Sequence, residues 1–405
     1  MKPGKIIQVE TIRLKSLASV MWVRVHTDEG VVGLGESWFG CAAIEADVHE
    51  RIAPLILGQD PSRIEALNRL MRPYVGGFGA GAEIRALSAV DVALWDIQGK
   101  RLGLPVYALL GGATRERIRV YNTCAGPGYV TESSDVRPGN FGLQRQRQTA
   151  GPRYEDLQGF MTCAEDLAAD LMSMGIFSMK IWPFDFAEGA VDGVDISTAD
   201  LKKGLEPFER VRRAHGDRMR LKVELHGLWG LNAARKIVGA LRDIQPDWIE
   251  DPVWMDRFSD LGELAASTDL PLAGGETLGG LGQMRELIQV GRIGTPILDV
   301  TWGGGLTFAR KAAALAEAHG KAVAFHDCSG PVTLAVSTHL ALASPNVAEQ
   351  EIARGFYFGW YADLVEQLPP LEDGFIRAPS GAGLGMALRA DVPTRSDAIV
   401  RRSSL

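Results

Sequence analysis

The sequence predicts an α/β protein: a TIM-type barrel of seven or eight βα units, (β/α)7-8, with an α+β capping domain built from the N-terminal region and the C-terminal segment. From about residue 118 short apolar strands alternate with helical segments, and eight strand candidates can be counted. This part of the chain is also near the length of about 250 residues that is typical of such a barrel. An open, doubly wound sheet is the alternative, but the glycine-rich phosphate loop that usually follows its first strand is missing here.

The first region, residues 1–125, has the pattern expected of the capping domain. Residues 5–37 alternate strand-like stretches around a turn at 28–30, as in a meander of antiparallel strands. Residues 84–101 place apolar side chains on one helical face, and a glycine and a proline follow as terminators. We therefore expect a small sheet followed by a long helix that closes this domain.

Residues 126–371 form the predicted barrel domain, and residues 372–405 are predicted to return to the cap. The connection after the first strand, residues 126–158, is rich in Gly, Pro, Arg, Gln and Ser. Because it is too long for a plain connector, it is either mobile or a lid over the site. The strand candidates are RVYNTC (119–124), SMKIW (178–182), LKVEL (221–225), DWIED (247–251), PLAGG (271–275), ILDVT (297–301), AVAFH (322–326) and VAEQE (347–351).

Composition and charge exclude several classes of protein. The 405 residues are 46% hydrophobic, which is enough for two domains with a substantial core. The formal net charge of −7, without a dense basic cluster, argues against a nucleic-acid partner. We find neither a membrane-spanning apolar run nor a signal-peptide core, so we expect no membrane partner and a cytoplasmic location. The cysteines lack C-x-x-C spacing and are predicted to be free thiols: Cys41, Cys124, Cys163 and Cys328.

Glutamates end three successive strand candidates. Glu224, Glu250 and Glu276 follow one another at intervals of 26 residues, about one strand, loop and helix, so we expect them at equivalent strand ends. Carboxylate oxygens without thiol or imidazole suit a hard cation such as Mg²⁺. His226 lies two residues after Glu224, and strand alternation would place both on one face. A solvated edge strand explains most single E-x-H pairs, but the recurrence of the acids favours a metal site.

Other strand ends also carry polar groups, and a barrel collects its chemistry at the carboxyl ends of its strands. Strand two ends with Lys180 and Trp182, although a lysine extending from a strand to solvent is an equally common explanation. Asp299 and His326 are predicted to form a dyad in which the carboxylate fixes the imidazole tautomer and raises its basicity. A lone histidine on an apolar strand is usually a core residue, but the neighbouring metal site favours the dyad. Glu351 on strand eight is a candidate acid or hydrogen-bond donor.

Lys222 and the remaining histidines are interpreted as structural or exposed. Lys222 shares a strand face with Glu224 one layer deeper, so we expect it to be a buried partner of the acids. The remaining histidines fall on cap strands or helices: His26, His49, His215, His319 and His339.

With these residues in place, the chain resembles the enolase superfamily, and within it the mandelate racemase branch, over essentially its whole length. The motifs that carry the resemblance occur in the family's order and spacing. They are SAVDVALWDIQGKRLGLPVYALLGG (88–112), the IEDP and GGET strand ends, ILDVTWGGGLTFARKAAALAEAHG (297–320), FHDCSGPV (325–332) and the closing EDGF and GLG.

The resemblance implies a reaction and a role for each candidate residue. Family members abstract the proton α to a carboxylate and use Mg²⁺ to hold the resulting enediolate, because the second negative charge needs stabilisation. Carried over to this sequence, the family pattern implies Mg²⁺ ligands, a base dyad and a strand-eight acid. It also implies a symmetric homo-oligomer and a cap whose early loops close over the barrel mouth. The implied residues are Glu224, Glu250 and Glu276 for the metal, Asp299 and His326 for the dyad, and Glu351 for the acid.

Two departures from the family pattern bear on the reaction. The first metal ligand is commonly Asp, whereas this chain has Glu224. Racemases of the branch carry K-x-K on strand two, and here Trp182 stands where the second lysine would be, so we assign Trp182 to substrate binding. The position of His226 instead resembles the pattern of sugar-acid dehydratases, in which a histidine at that position helps to expel the β-hydroxyl.

The resemblance therefore favours a Mg²⁺-dependent dehydratase of a hydroxy-carboxylate, an aldonate or aldarate, that yields a 2-keto-3-deoxy acid. His326 would remove the C2 proton, His226 would protonate the leaving hydroxyl, and Lys180 would orient the substrate carboxylate or act as a second acid or base. The alternatives are an epimerase, racemase or cycloisomerase that uses the same enediolate, and a non-catalytic metabolite-binding protein. Loops near 16–40 and 74–83 are expected to select the substrate.

Overall fold

The computed structural model describes residues 4–75, 79–131, 133, 136–141 and 154–405. Parts of the predicted lid, residues 132, 134–135 and 142–153, lie outside the described residues, as do residues 76–78 of one predicted selectivity loop.

The elements alternate along the chain as predicted for a capped barrel. The described strands are β1 Ile6–Leu14, β2 Leu17–Thr27, β3 Val32–Trp38, β4 Ile118–Thr123, β5 Ser178–Ile181, β6 Arg220–Glu224, β7 Trp248–Glu250, β8 Leu272–Gly274, β9 Thr295–Leu298, β10 Ala324–Phe325, β11 Gln350–Ile352, β12 Leu371–Glu372, β13 Phe375–Ile376 and β14 Ala398–Ser404. The described α-helices are α1 Cys41–Asp47, α2 Ala53–Ile56, α3 Ile64–Leu70, α4 Ala82–Leu102, α5 Val106–Leu109, α6 Asp156–Thr162, α7 Ala164–Ser173, α8 Thr198–His215, α9 Leu231–Ala240, α10 Phe258–Ala266, α11 Leu281–Gln289, α12 Gly305–Ala318, α13 Pro331–Ala343 and α14 Arg354–Tyr357. None of these helices combines the length and apolarity needed to cross a membrane.

The cap is an antiparallel sheet with the order β14-β1-β2-β3, covered by α4. Its β2–β3 hairpin and its long helix α4 were both predicted from the sequence. The C-terminal strand β14 pairs with β1 from Gln8 opposite Ser404 to Leu14 opposite Ala398, so both ends of the described chain contribute to one sheet. This pairing confirms a cap built from the N-terminal region and the C-terminal segment.

Helix α4 packs unusually close to β3 because two strand positions are glycine. A Cβ on Gly35 would lie 1.8 Å from the Ala89 carbonyl oxygen, and one on Gly33 would lie 2.1 Å from that of Ala93. Any side chain there would push the helix off the sheet. The VGLGES stretch thus fixes the distance between the two layers of the cap.

The barrel strands β4 to β10 pair in parallel in sequence order, and β11 pairs with β4. A parallel bridge between Val323 and Val347 joins the ends of β10 and β11, so the eight strands close into a ring. The predicted eight-stranded barrel is therefore confirmed; each strand overlaps its predicted stretch, although β9 begins two residues before it and β11 three residues into it. The β12–β13 hairpin was not anticipated: β13 pairs antiparallel with β4 rather than joining the cap sheet.

Buried carboxylates of the cap bind the amino ends of barrel helices. Glu36 on β3 accepts hydrogen bonds from Thr333 N (2.9 Å) and Oγ1 (2.8 Å) at the start of α13. Asp91 on α4 accepts one from Thr307 N (2.9 Å) at the start of α12. Burial raises the pKa of Glu36 to about 7 and that of Asp91 to about 6, against the effect of these donors. The two contacts set the cap over the mouth of the barrel.

Candidate active site

A cavity of about 620 Å³ lies at the carboxyl ends of the barrel strands, where cap and barrel meet. The barrel contributes polar side chains to its floor, and the cap contributes Phe39 and Arg85 to its wall. Tyr129, Val136 and Phe141, in the described part of the predicted lid, also line it. The barrel residues that line it include Lys180, Trp182, Asp185, Glu224, His226, Glu276, Trp302 and His326.

Three glutamates from neighbouring strands converge in the floor. Glu224 ends β6, Glu250 ends β7, and Glu276 follows β8 by two residues. One carboxylate oxygen from each lies within 4.8 Å of those of the other two, and all three residues are buried. Burial and the neighbouring Glu224 raise the pKa of Glu250 to about 8, although the Lys180 ammonium opposes that rise. The 26-residue spacing therefore corresponds to one shared cluster of negative charge.

The hydrogen bonds of the cluster fix one oxygen of two of its carboxylates. Glu224 Oε1 accepts from Leu225 N (3.1 Å) and His226 N (2.8 Å), and Glu250 Oε2 accepts from Trp248 Nε1 (2.9 Å). The other oxygens, Glu224 Oε2 and Glu250 Oε1, face the Lys180 ammonium, with which a bound cation would share them. A hard cation with oxygen ligands fits this donor set, because it would offset the repulsion between buried carboxylates. The three carboxylates thus fit a hard cation such as Mg²⁺.

Lys180 carries the positive charge closest to this cluster. Its Nζ lies 2.8 Å from Glu250 Oε1, 3.0 Å from Glu224 Oε2 and 2.9 Å from Glu351 Oε1. Burial lowers the pKa of Lys180, but the three carboxylates outweigh burial and raise it well above its ordinary value. In this arrangement the lysine is a buried ammonium held by three carboxylates. Glu351 Oε2 accepts from Asp327 N at 3.0 Å, which holds the strand-eight acid in place.

Asp299 and His326 lie at adjacent strand ends and form the predicted pair. His326 Nδ1 lies 2.7 Å from Asp299 Oδ2, and Nε2 faces Glu276 Oε2 at 3.5 Å. Asp299 Oδ1 is held in turn by Thr301 N (2.7 Å) and Oγ1 (2.9 Å). Burial lowers the pKa of His326, but Glu276 and Asp299 outweigh burial and raise it to about 10. A cation bound to Glu276 would cancel the larger of these attractions.

His226 belongs to a second histidine–aspartate pair. Its Nδ1 lies 2.7 Å from Asp185 Oδ2, and its ring meets the Trp182 ring edge to face at 5.8 Å. Burial lowers the pKa of His226, but Asp185 and Glu224 outweigh burial and raise it to about 10. The cavity therefore contains two imidazoles, each held at Nδ1 by a carboxylate.

The structure corrects how His226 reaches the cavity. Strand β6 ends at Glu224, and His226 has a φ of +48°, so strand alternation does not place the two side chains together. Instead, Glu224 Oε1 accepts both following backbone N–H groups and turns the chain. A left-handed backbone at a non-glycine residue costs conformational energy and is found most often at functional sites.

Lys222 is buried and paired with acidic side chains, as expected, but these are not the acids of the metal-site cluster. Its Nζ does not join the metal-site acids but pairs with Glu349 Oε2 at 2.8 Å and donates to Ser178 Oγ, at the opposite end of the strands. Lys222 and Glu224 do lie on the same side of the strand, but the lysine side chain points towards the amino ends. Among the described residues, Lys222 and Glu349 thus form a structural ion pair inside the barrel.

Three residues of the site were missed in the sequence. Asp185 lies in a 3₁₀ turn, Pro183–Phe186, where no strand period marks it. Asp251 Oδ1 accepts from Gly275 N at 2.8 Å and so holds the loop that delivers Glu276. Arg85 lies on a cap helix. The IEDP motif could have indicated Asp251, since a second buried acid there needs a partner.

Two models of known protein families match the chain. The model of the enolase C-terminal domain-like family matches residues 164–392. The model of the N-terminal domain of the mandelate racemase/muconate lactonizing enzyme family matches residues 7–111. Together they cover most of the cap and the barrel.

Similarity to individual proteins extends over nearly the whole chain. The chain is 33% identical to a D-galactonate dehydratase of Ralstonia nicotianae over 94% of this chain and 91% of that protein. Against one of Xanthomonas oryzae it is 32% identical, over 93% and 91%. The structure is similar to that of an enolase of the mandelate racemase subgroup from Agrobacterium tumefaciens, with a TM-score of 0.87, 42% identity and 99% of each chain covered. The chain therefore belongs to the enolase superfamily, in the mandelate racemase/muconate lactonizing enzyme family.

Proposed function

We propose that the protein is a Mg²⁺-dependent sugar-acid dehydratase that converts an aldonate or aldarate into a 2-keto-3-deoxy acid. The observation that carries the proposal is a pair of imidazoles that line one cavity, His326 and His226, each with Nδ1 bonded to an aspartate. Dehydration needs one group to remove a proton and another to donate one. The dehydratase name of the relatives supports the same reaction class.

His326 is the proposed base. Its Nδ1–H donates to Asp299, so Nε2 is the nitrogen that faces the cavity and receives the C2 proton of the substrate. The electron pair of the broken C–H bond passes into the carboxylate, which gives an enediolate. The negative charge of Asp299 would stabilise the imidazolium that forms. The second oxygen of Asp299 is already bonded to Thr301, which holds the carboxylate in place.

His226 is the proposed acid. With Nδ1 bonded to Asp185, its Nε2–H is the proton that would be delivered to the C3 hydroxyl as the C3–O bond breaks. The electron pair of the enediolate then forms the C2–C3 double bond, and water leaves. The resulting enol gains a proton at C3 and becomes the keto acid, so the overall change is the loss of one water.

The developing charge would be met by several groups. Glu224, Glu250 and Glu276 would hold Mg²⁺, which when bound supplies the positive charge that offsets the second charge of the enediolate. The Lys180 ammonium adds a fixed positive charge beside them. Trp182 lines the cavity next to His226 and would pack against the substrate chain, excluding water.

A screen of sugar acids with Mg²⁺, with detection of 2-keto-3-deoxy products, tests the proposal. We expect at least one acid to give product, and we expect His326→Asn to reduce its rate by about 10²–10⁴-fold, as removal of a general base does. His319→Asn, which changes an exposed histidine directly after helix α12, is the matched control and should retain the rate.

Exchange of the C2 proton with D₂O separates the alternatives when no keto acid forms. Exchange without keto acid would contradict dehydration and indicate an epimerase or cycloisomerase. Binding of acids without exchange or product would indicate a metabolite-binding protein.

A further inference from the structure

Arg85 places a guanidinium on the cap side of the same cavity, and nothing in the proposed proton transfers uses it. Arg85 comes from α4, and it lines the cavity together with Phe39 and Trp302. It forms no ion pair with an acidic side chain among the residues that the structure describes. A largely buried cation without a paired anion is costly, so it is most often kept where a ligand supplies the negative charge.

The guanidinium is held rigidly in place. Its Nε donates to the Ala80 carbonyl oxygen at 2.7 Å, and its Nη1 donates to that of Trp38 at 2.6 Å. Its flat face lies on the Trp302 ring, with Cζ 4.3 Å from the ring centroid. Within the described chain, Nη2 donates to no residue. The two bonds and the stack therefore fix a fork whose remaining N–H groups are available to a ligand.

The guanidinium of Arg85 lies near the proposed base His326, because both contact the Trp302 ring. Trp302 also contacts the proposed base, since its ring centroid lies 4.8 Å from that of His326. Arg85 and His326 thus both contact one indole. A substrate whose C1 carboxylate is near Glu276 and whose C2 is at His326 would extend its far end along this wall.

The backbone next to the fork is also constrained. Phe39, directly after the carbonyl that Nη1 binds, has a φ of +58°, a conformation that a bulky residue seldom adopts. Its ring lies 5.9 Å from that of Trp302, so the same turn shapes the wall on which the guanidinium lies. Strain of this kind is most often kept at a ligand site.

We infer that Arg85 is a specificity residue that binds the distal carboxylate of the substrate, so that the enzyme acts on a sugar diacid, an aldarate. A planar fork matches a carboxylate better than it matches a hydroxyl, because two parallel N–H groups meet two charged oxygens. The inference rests on the proposed function and narrows its substrate class. The inferred diacid substrate also differs from D-galactonate, the monoacid after which the related dehydratases are named.

Matched pairs of acids test the inference. Each pair contains an aldonate and the aldarate of the same configuration, including D-galactonate and galactarate, and both binding by calorimetry and keto-acid formation are measured with Mg²⁺. We expect at least one diacid to bind about 10- to 100-fold more tightly than its monoacid partner, the range that a charge-assisted contact provides. In Arg85→Gln the preference should fall to near unity while the affinity for the monoacid is retained.

Two further variants distinguish recognition from general damage. Arg389→Gln changes an exposed arginine that does not line the cavity and should retain the diacid preference. Arg85→Lys keeps the charge but loses the fork, so it should recover only part of the preference.

Three results would overturn the inference: equal or tighter binding of the monoacid in every pair, a preference that survives in Arg85→Gln, or no binding of any diacid. Diacid binding that depends on Arg85 without keto-acid formation would support the inference and contradict dehydration. The two proposals can therefore fail separately.

Discussion

The cavity holds two imidazoles that are oriented in the same way, each with Nδ1 bonded to a carboxylate and Nε2 left for the substrate. His326 is oriented by Asp299 and His226 by Asp185, at 2.7 Å in both cases. Such a bond selects one tautomer and one ring orientation. Asp185 is therefore a positioning residue for His226, as Asp299 is for His326.

Asp185→Asn tests this positioning. We expect the rate of keto-acid formation to fall about 10- to 100-fold, the usual cost of losing a partner that orients a functional histidine. Exchange of the C2 proton with D₂O should persist, because His326 and Asp299 are untouched. Product formation and exchange are measured on the same sample by NMR.

The control is Asp195→Asn, an exposed aspartate paired with Lys236, which should leave both rates unchanged. Equal losses of exchange and elimination in Asp185→Asn would contradict the separate role of the second pair.

The site residues at strand ends could be predicted from the sequence, whereas those in a turn or on the cap helix were missed. Glu224, Glu250 and Glu276 were recognised because each ends a strand and the interval repeats. Asp185 was missed because it lies in a short turn after a strand. Arg85 was missed because its significance depends on a contact with Trp302 from another domain, which no local pattern encodes.

At the scale of elements, helix α13 links barrel and cap at both of its ends. Its amino end is bound by Glu36, and near its carboxyl end His339 Nε2 donates to the Leu384 carbonyl oxygen at 3.2 Å. The strand and helix alternation made α13 predictable. These long-range partners were not, because they come from β3 and from the glycine-rich stretch before β14.

His339 makes stability depend on pH. Burial lowers its pKa from about 6.5 to about 4, so the unfolded chain binds a proton at a higher pH than the folded one. The stabilisation is complete above pH 6.5 and is lost as the pH falls towards 4, by at most about 3 kcal/mol. We expect the urea midpoint to fall between pH 7 and pH 5, and His339→Gln to reduce that dependence.

His319→Gln is the matched control, since this histidine is exposed and directly follows helix α12. The same loss of stability between pH 7 and pH 5 in His339→Gln and in the unmodified protein would show that another group is responsible.

Glu36→Ala should destabilise the protein by about 3 kcal/mol, because buried donors of Trp22 and Thr333 would lose a charged acceptor. Urea unfolding at pH 8, where the carboxylate is ionised, provides the measurement. Glu263→Ala, which removes an exposed ion pair with Arg235, should cost no more than about 1 kcal/mol. Equal costs for the two variants would contradict the buried cap–barrel contact.

At the scale of the whole molecule, a cation bound among the three glutamates should stabilise the folded protein, because the unfolded chain does not assemble that site. At a Mg²⁺ concentration 100 times the Kd, we expect about 2.7 kcal/mol of added stability. Differential scanning calorimetry with Mg²⁺ and with EDTA measures it.

Glu250→Gln should abolish the Mg²⁺-dependent shift, and Glu263→Gln, at an exposed position, should retain it. A shift that survives in Glu250→Gln would place the cation elsewhere. The symmetric homo-oligomer stays a prediction, and light scattering on the purified protein tests it.

The pairing of β14 with β1 also has a consequence for the order of folding. Gln8 and Ser404 face each other across this pair although the entire barrel lies between them in the chain. Contacts between such distant segments form late, since a long loop must first be closed. We therefore expect the barrel to assemble before the cap sheet is complete. The three glutamates of the cavity floor would then be in place before β14 completes the cap sheet.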